Sequence, residues 1–506
     1  SDVINVVNGV TLLDGFITSP EDESPYDQEG VLNVADGGTL AFLQPHRTAD
    51  SQSGANVDEL NVSSTGTLAY ELTADNTEGE DYAQIFAGSA NIDGGTFQAI
   101  FRAGHYGDLT VYDNVIESED RNGVFANEID NSLLLSTELY YDYDGESDDN
   151  GDLVVRRTAF NAVGGLTHNQ QSVAGGIEKV YPDNMPDGPF SDLVASMFTI
   201  GSEAAYADFL NQLSGAEYAQ QLQSVLWSTR GLNRVITERM ECTDGSVGGT
   251  QLSSAKVGDN TVMPTADAPM ASTGCFEPGQ ASVWMRGTGQ WTSLDGNDEA
   301  PGLDETQYGI LFGADYSFDE NWFAGIAGGY FNSNGDFEDW GGRSGGSSEY
   351  DGLQLAAYGG YDNSTYYLRG VLAYGNYDGS VDRSIDTHGL VQGVGTHGNL
   401  SGDPSSDVFS FYGETGYRFA IADSANITPF AGLSLASATL DGFTEDDSNN
   451  TGAALDVEDS NADSVASVLG LRLDADIAMG SGVFTPSVSV AWMHEFGDTT
   501  QTVDAS

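Results

Sequence analysis

Lysine is almost missing from this chain of 506 residues: Lys179 and Lys256 are the only two. Sixteen basic residues in all stand against 78 acidic ones, for a formal net charge of −62. A nucleic-acid ligand is excluded on that ground, because a phosphate backbone needs a basic face. Docking by charge onto anionic lipid is excluded in the same way. Cysteine is nearly absent: Cys242 and Cys275 cannot build a disulfide scaffold or a Cys-rich zinc fold. No run of 18 apolar residues occurs, so hydropathy offers no helical membrane span. A membrane β-barrel is untouched by that argument, since its signal is alternation and not continuous hydrophobicity. What remains is ample for folded domains: 39% hydrophobic residues and 64 glycines. The acidity reads as a solvated surface, suited to a saline habitat.

The first part repeats itself. Leu32-Asn33-Val34-Ala35-Asp36-Gly37-Gly38-Thr39-Leu40-Ala41-Phe42 returns as Leu60-Asn61-Val62-Ser63-Ser64-Thr65-Gly66-Thr67-Leu68-Ala69-Tyr70, and Asn91-Ile92-Asp93-Gly94-Gly95-Thr96-Phe97 is a weaker copy. Each copy is a short strand, a polar glycine turn and another short strand. One coil of a parallel β-solenoid needs that order, because apolar residues stack on the next coil while the turn bends the chain. Residues 131–157 break the pattern and read as a terminal hairpin with an acidic tip at Asp142–Asp152.

From about 165 to 240 the period becomes helical. Helices are expected over His168 to Val180, near Phe190 to Phe198, and over Glu203 to Met240. Ser214 with Glu217 has capping-box spacing and predicts a restart. The last helix, of roughly 25 residues or about 37 Å, is long enough to run through a bilayer-thick object but too polar to face lipid. Residues 241–280 read as a polar linker bracketed by Cys242 and Cys275, which form a disulfide candidate in an oxidising compartment.

Residues 281–506 change style again. About nine strands of some ten residues are readable. In one, Tyr308, Ile310, Phe312 and Tyr316 share a face opposite Leu311, Asp315 and Ser317; in another, Leu469, Leu471 and Leu473 oppose Arg472 and Asp474. Such alternation fits any half-buried strand. Three further features favour an antiparallel membrane barrel: sufficient strand length, aromatic residues near strand ends, and turns that alternate between tight and long. Arg286, Arg369, Glu414, Arg418 and Arg472 fall on the polar face and are the expected lumen-lining charges.

The stretch from about 130 onward resembles the bacterial autotransporters of type V secretion. The carrying segments are Val283-Trp284-Met285-Arg286-Gly287, Gly413-Glu414-Thr415-Gly416-Tyr417-Arg418-Phe419, Pro429-Phe430-Ala431-Gly432-Leu433 and Trp492-Met493-His494-Glu495-Phe496-Gly497-Asp498, preceded by Leu213-Ser214-Gly215-Ala216-Glu217. The resemblance implies a right-handed solenoid stub, then a 12-stranded outer-membrane barrel with the linker helix in its lumen. It further implies lipid, the barrel-assembly machinery and periplasmic chaperones as partners. The family ends in further strands, so a barrel stopping at Ser506 is expected to be incomplete. No Asn-Asn pair lies within 203–240, so autocatalytic cleavage of that type is not expected.

The implied organisation is a passenger end and junction at 1–157, a helical linker at 158–240, the polar linker at 241–280 and the β-barrel at 281–506. The expected work is translocation and surface display of the chain's own N-terminal part in a Gram-negative outer membrane, not bond-making chemistry. Alternatives are a barrel-anchored adhesin or surface-layer protein, and a hydrolase passenger with its catalytic part upstream. Chemical site candidates are weak. Asp142, Asp144, Asp148 and Asp152 could bind Ca²⁺ but lack the spacing of an EF-hand loop. Gly342-Arg343-Ser344-Gly345-Gly346 matches a nucleophile-elbow string but sits in a Gly/Ser loop. His388, His397 and His494 look too scattered for a metal site. No other cofactor is expected.

Overall fold

The computed structural model describes the chain except residues 1–2, 14–15, 18–29, 44–53, 78–80, 142, 144, 146–148, 184, 242–251, 258–259, 267–270, 273–277, 364, 423, 480–481, 485, 498–502, 504 and 506. The chain forms two compact units. The first is Ser1–Leu213 with two short excursions, Asp386–His397 and Asn450–Ala453; the second holds the remainder.

In the first unit the repeat becomes stacked coils. Val3–Val7, Val31–Ala35, Gly54–Val62, Gln84–Asp93 and Leu109–Val124 pair in parallel as one sheet. Val10–Leu13, Thr39–Phe42, Thr67–Leu72, Thr96–Phe101 and Asn127–Ile129 pair in parallel as a second. Leu32 stacks on Leu60 and Thr39 on Thr67, as the repeat predicts. A fourth copy, missed in the sequence, begins at Val3, and Asn5 pairs with Asn33. Inside, Phe42, Tyr70, Phe97 and Phe125 form a file with ring centroids 5.2, 5.3 and 5.6 Å apart. Stacked side chains of one type let each coil reuse its neighbour's packing. On the flank runs an amide ladder: Asn33, Asn61 and Asn91 donate in turn to the Oδ1 of Asn5, Asn33 and Asn61 at 2.8, 2.8 and 3.0 Å. Gly66 explains its own place in the motif: a Cβ there would lie 2.4 Å from the Val34 carbonyl oxygen of the preceding coil.

The parallel stack ends in the expected hairpin. Leu135–Tyr141 and Gly151–Arg157 pair antiparallel, and the latter also pairs antiparallel with Leu109–Val124. Helices α1 (His168–Val180), α2 (Pro189–Met197) and α3 (Glu203–Gln212) follow. Thr167 and Gln170 form a capping box on α1 that the sequence reading missed. Arg157 ties the hairpin to α1 by two bonds to Glu178, at 2.9 and 2.8 Å. Beside them Phe160, Tyr181 and Phe198 pack ring on ring.

The second unit is α4 (Ala216–Met240) and a curled antiparallel sheet. Nine long strands follow one another as neighbours: Ala281–Leu294, Leu303–Ser317, Trp322–Phe337, Ser347–Asp362, Tyr366–Asp386, Ser405–Tyr417, Ala425–Leu440, Ser460–Ala475 and Ser487–Glu495. Most are longer than the ten residues expected, because polar segments such as Tyr377–Asp386 continue the ladder. Residues 241–280 are more than a linker: Leu252–Val257 and Asn260–Ala266 form a hairpin that pairs with Ala281–Leu294. Among the described residues the two edge strands do not pair, so the sheet is an open half-barrel and not a closed cylinder of 12 strands. The edge strand Ser487–Glu495 has one neighbour, and Val488, Val490 and Trp492 are exposed. The capping box at Ser214 does not form: the N-cap of α4 is Gly215 without a side-chain cap, and Glu217 turns to Arg343. Among the described residues no helix is long and apolar enough to cross a membrane, which says nothing of strands.

Candidate functional site

The site is the concave face of the sheet and the helix it holds. Period-2 geometry sends successive side chains to opposite faces. In Leu303–Ser317 the residues Tyr308, Ile310, Phe312 and Tyr316 are exposed while Leu311 and Asp315 are buried. The same inversion recurs in later strands, where Leu353, Leu355, Leu368, Leu372, Phe409 and Leu471 are exposed apolar residues. The convex face is therefore an apolar band, and the concave face, which mixes buried charged and polar groups with apolar ones, is covered by α4.

Along α4 the wall matches the helix in three zones. Near its start Glu217 pairs with Arg343, both buried. Tyr218 donates to Glu445 Oε1 at 2.6 Å, and Glu445 is held by Arg383 through two bonds of 2.6 Å. In the middle the hydroxyls take over. Ser224 bonds to Glu305 and Tyr350, and Ser228 lies 2.6 Å from the Tyr377 hydroxyl. Leu222, Val225 and Leu226 pack there against Leu294, Leu303 and Phe337. At the end, charge dominates. Arg239 reaches Asp315 at 2.9 and 3.0 Å, with both side chains fully buried. Ser282 and Tyr358 donate to the same carboxylate at 2.5 and 2.9 Å. Glu238 meets Arg286 at 2.5 Å, and Glu241, just past the helix, meets Arg369 at 3.2 Å and also Arg472. Nine of the chain's fourteen arginines belong to α4 and the wall around it. A buried charge survives only when paired and hydrogen-bonded, so the arginines that pair between helix and wall define one rotation and depth of the helix.

The five residues expected in the lumen fall as follows. Arg286, Arg369 and Arg472 contact Glu238 or Glu241. Glu414 accepts from Tyr367 and Tyr412 at 2.6 and 2.7 Å. Arg418 does not reach the helix and pairs with Asp362 at 2.6 Å. Sequence reasoning missed Arg239, Asp315, Arg383, Glu445 and the Arg343–Glu217 pair. Strand parity was the available signal for two of them, since Asp315 shares a face with Leu311 and Arg383 shares one with Arg369.

Elsewhere the candidates resolve differently. Asp142, Asp144 and Asp148 lie outside the described residues, as do Cys242 and Cys275. Asp152 is buried and accepts the Asn114 and Tyr143 backbone N–H groups at 2.7 and 3.1 Å. Ser344 precedes the strand Ser347–Asp362 and not a helix, so the string there lacks the elbow's strand-to-helix turn. His388 and His397 are not scattered: their Nδ1 atoms lie 2.8 and 3.5 Å from the two oxygens of Asp386. His494 stands between Trp492 and Phe496 on the edge strand.

Residues 283–506 match the family model of the autotransporter beta-domain. An extracellular serine protease of Serratia marcescens is 25% identical over 288 residues, 56% of this chain and 24% of that protein. Esterase EstA of Pseudomonas aeruginosa is 26% identical over 205 residues, 40% of this chain and 30% of that protein. The chain thus spans about a quarter of the length of the curated relatives it matches. The translocator domain of autotransporter NalP from Neisseria meningitidis is 16% identical, with coverage of 56% of this chain and 81% of that chain and a TM-score of 0.37. The transport unit of the autotransporter AIDA-I from Escherichia coli is 20% identical, with coverage of 44% and 72% and a TM-score of 0.33.

Proposed function

We propose, from a chain whose residues 283–506 match the autotransporter β-domain model, that this protein is an outer-membrane autotransporter that carries its own N-terminal unit to the surface of a Gram-negative cell. The observation that carries the reading is the inverted sheet. Its convex face is an apolar band fit for lipid, and its concave face holds a polar helix whose charges the wall satisfies. In this reading Arg286, Arg369 and Arg472 hold the end of α4, while Glu414 and Arg418 stiffen the wall that bears them. The solenoid is the folded part displayed outside. Insertion by the barrel-assembly machinery with periplasmic chaperones belongs to the same reading, as does outer-membrane lipid as the solvent of the convex face. Two named relatives are a protease and an esterase, and the second reading is a hydrolase passenger whose catalytic part lies upstream.

The test is expression of the chain in a Gram-negative host. The expected outcome is a membrane-fraction protein whose gel mobility shifts on boiling, with the solenoid cut by protease added to intact cells. A freely soluble product with one gel mobility would end this reading.

A further inference from the structure

Two loops that belong by sequence to the C-terminal region are built into the first unit. One is the hairpin 386–397, closed at its base by Thr387 N–H on the Thr396 carbonyl at 2.9 Å. Its anchorage uses side-chain amides in the role of a strand. Gln212, fully buried at the end of α3, donates to the Asp386 carbonyl at 2.9 Å and accepts the Asp386 N–H at 2.8 Å. At the hairpin tip the Gln392 N–H donates to the buried Thr199 hydroxyl at 2.9 Å. Asn131 donates to Gln392 Oε1 at 3.0 Å, while its own amide accepts the Phe101 N–H at 2.7 Å and donates to the Phe101 carbonyl at 3.1 Å. The hairpin is therefore bonded to the last solenoid coil and to the helical cap at once. The second loop, 450–453, presses its backbone on the start of α2: a Cβ at Gly452 would lie 2.2 Å from the Phe190 nitrogen, and Thr451 and Ala453 are buried.

We propose that residues 386–397, aided by 450–453, are a clasp that retains residues 1–213 of the first unit after the peptide link to α4 is broken. The occupant of this docking surface is the chain's own first unit, and the proposal rests on the translocation reading above. Backbone-directed amide pairs suit such a role, because they satisfy buried donors and acceptors that water would otherwise have to reach. A clasp made by covalently attached loops also acts at the high effective concentration of a short tether.

The experiment inserts a specific protease site between Ser214 and Gly215 of the full chain displayed on cells. After cutting, the first unit is expected to stay in the cell pellet and to leave it under mild urea. Gln212→Ala combined with Gln392→Ala is not expected to release it, because the Gln392 bond to Thr199 is made by the backbone; adding Thr199→Val is expected to raise the released fraction about tenfold. Immediate release of the unaltered first unit on cutting would overturn the clasp, and so would equal retention in the triple variant. Hydrogen exchange on the uncut protein decides if the inserted site resists cleavage: Asp386 and Gln392 amides protected in the parent and fast in the triple variant support the clasp, and fast exchange in both overturns it. Failure of the first unit to reach the surface at all is a different result, and it counts against the translocation reading.

Discussion

The two halves of this molecule use opposite rules for the same strand geometry. In the solenoid, Leu32, Leu60, Phe42 and Phe97 turn inward and the amide ladder from Asn5 to Asn91 runs along the flank. In the C-terminal sheet, Leu353, Leu471 and Phe409 turn outward, and Arg239, Asp315 and Glu238 meet inside. The difference teaches where each half finds its apolar solvent. A stacked coil makes its own, and in the proposed reading the curled sheet borrows one from the bilayer. It also explains the arginine distribution. A chain with a charge of −62 spends few cations on its surface, where exposed pairs contribute little and salt screens them. It keeps them around α4, where screening is weak.

The largest effect should come from breaking that internal charge order. Arg239→Ala leaves Asp315 buried with its cation removed, and the expected loss is about 3–5 kcal/mol. Urea unfolding of the refolded full chain, followed by the fluorescence of its six tryptophans, all in the second unit, reads it. A loss below about 1 kcal/mol would mean that the helix is not held by this pair.

Next comes a matched pair of arginine insertions. Leu471→Arg places a charge on the convex apolar band, with an expected cost of roughly 2–4 kcal/mol if that residue lies near the bilayer midplane. Val124→Arg, at a half-exposed position of the solenoid, is expected within about 0.5 kcal/mol of the parent. Membrane-insertion yield and the heat-dependent gel shift report the first; solenoid melting reports the second. Equal tolerance of both would erase the contrast between the two halves.

The contrast was partly legible before any coordinates. Parity placed Leu471 and Arg472 on opposite faces, and the repeat set Leu32 on Leu60, because both periods are local properties of the chain. Other features depend on context. The first coil escaped notice because Val3 to Leu13 lacks the Asp-Gly-Gly turn that marks the second. Tyr377–Asp386 carries Gly, Asp and Ser, which weaken strand propensity, yet a neighbouring ladder holds it as strand. The Ser214–Glu217 spacing suggested a cap, but Arg343 claims the glutamate. The partnership of Arg239 with Asp315 depends on how α4 is rotated against the sheet, and no spacing rule encodes that angle.

A smaller effect is expected in the ladder. Asn61→Ala removes one donor and one acceptor from a half-buried file, for a loss of about 1–2 kcal/mol in solenoid stability and none in the gel shift of the second unit.

The smallest sharpens the comparison through pH. Glu178 stands below the usual carboxylate range, first because Arg157 bonds to it and then because the Phe160 N–H does, with partial burial opposing both. A folded-state value below the unfolded one means that the group's stabilisation is complete above the unfolded carboxylate range and fades as pH falls through the lowered value. The parent should therefore exceed Glu178→Gln by about 1 kcal/mol near neutral pH, and the gap should close in acid. Melting of the first unit between pH 7 and pH 3 measures it. The side chain of Glu178 is 25% exposed, so protons and salt reach this pair, whereas Arg239 and Asp315 are at 0%. Added salt should shrink the Glu178 difference and leave that of Arg239→Ala in place. An equal salt response at the two sites would show that the interior around α4 is as wet as the contact between α1 and the hairpin.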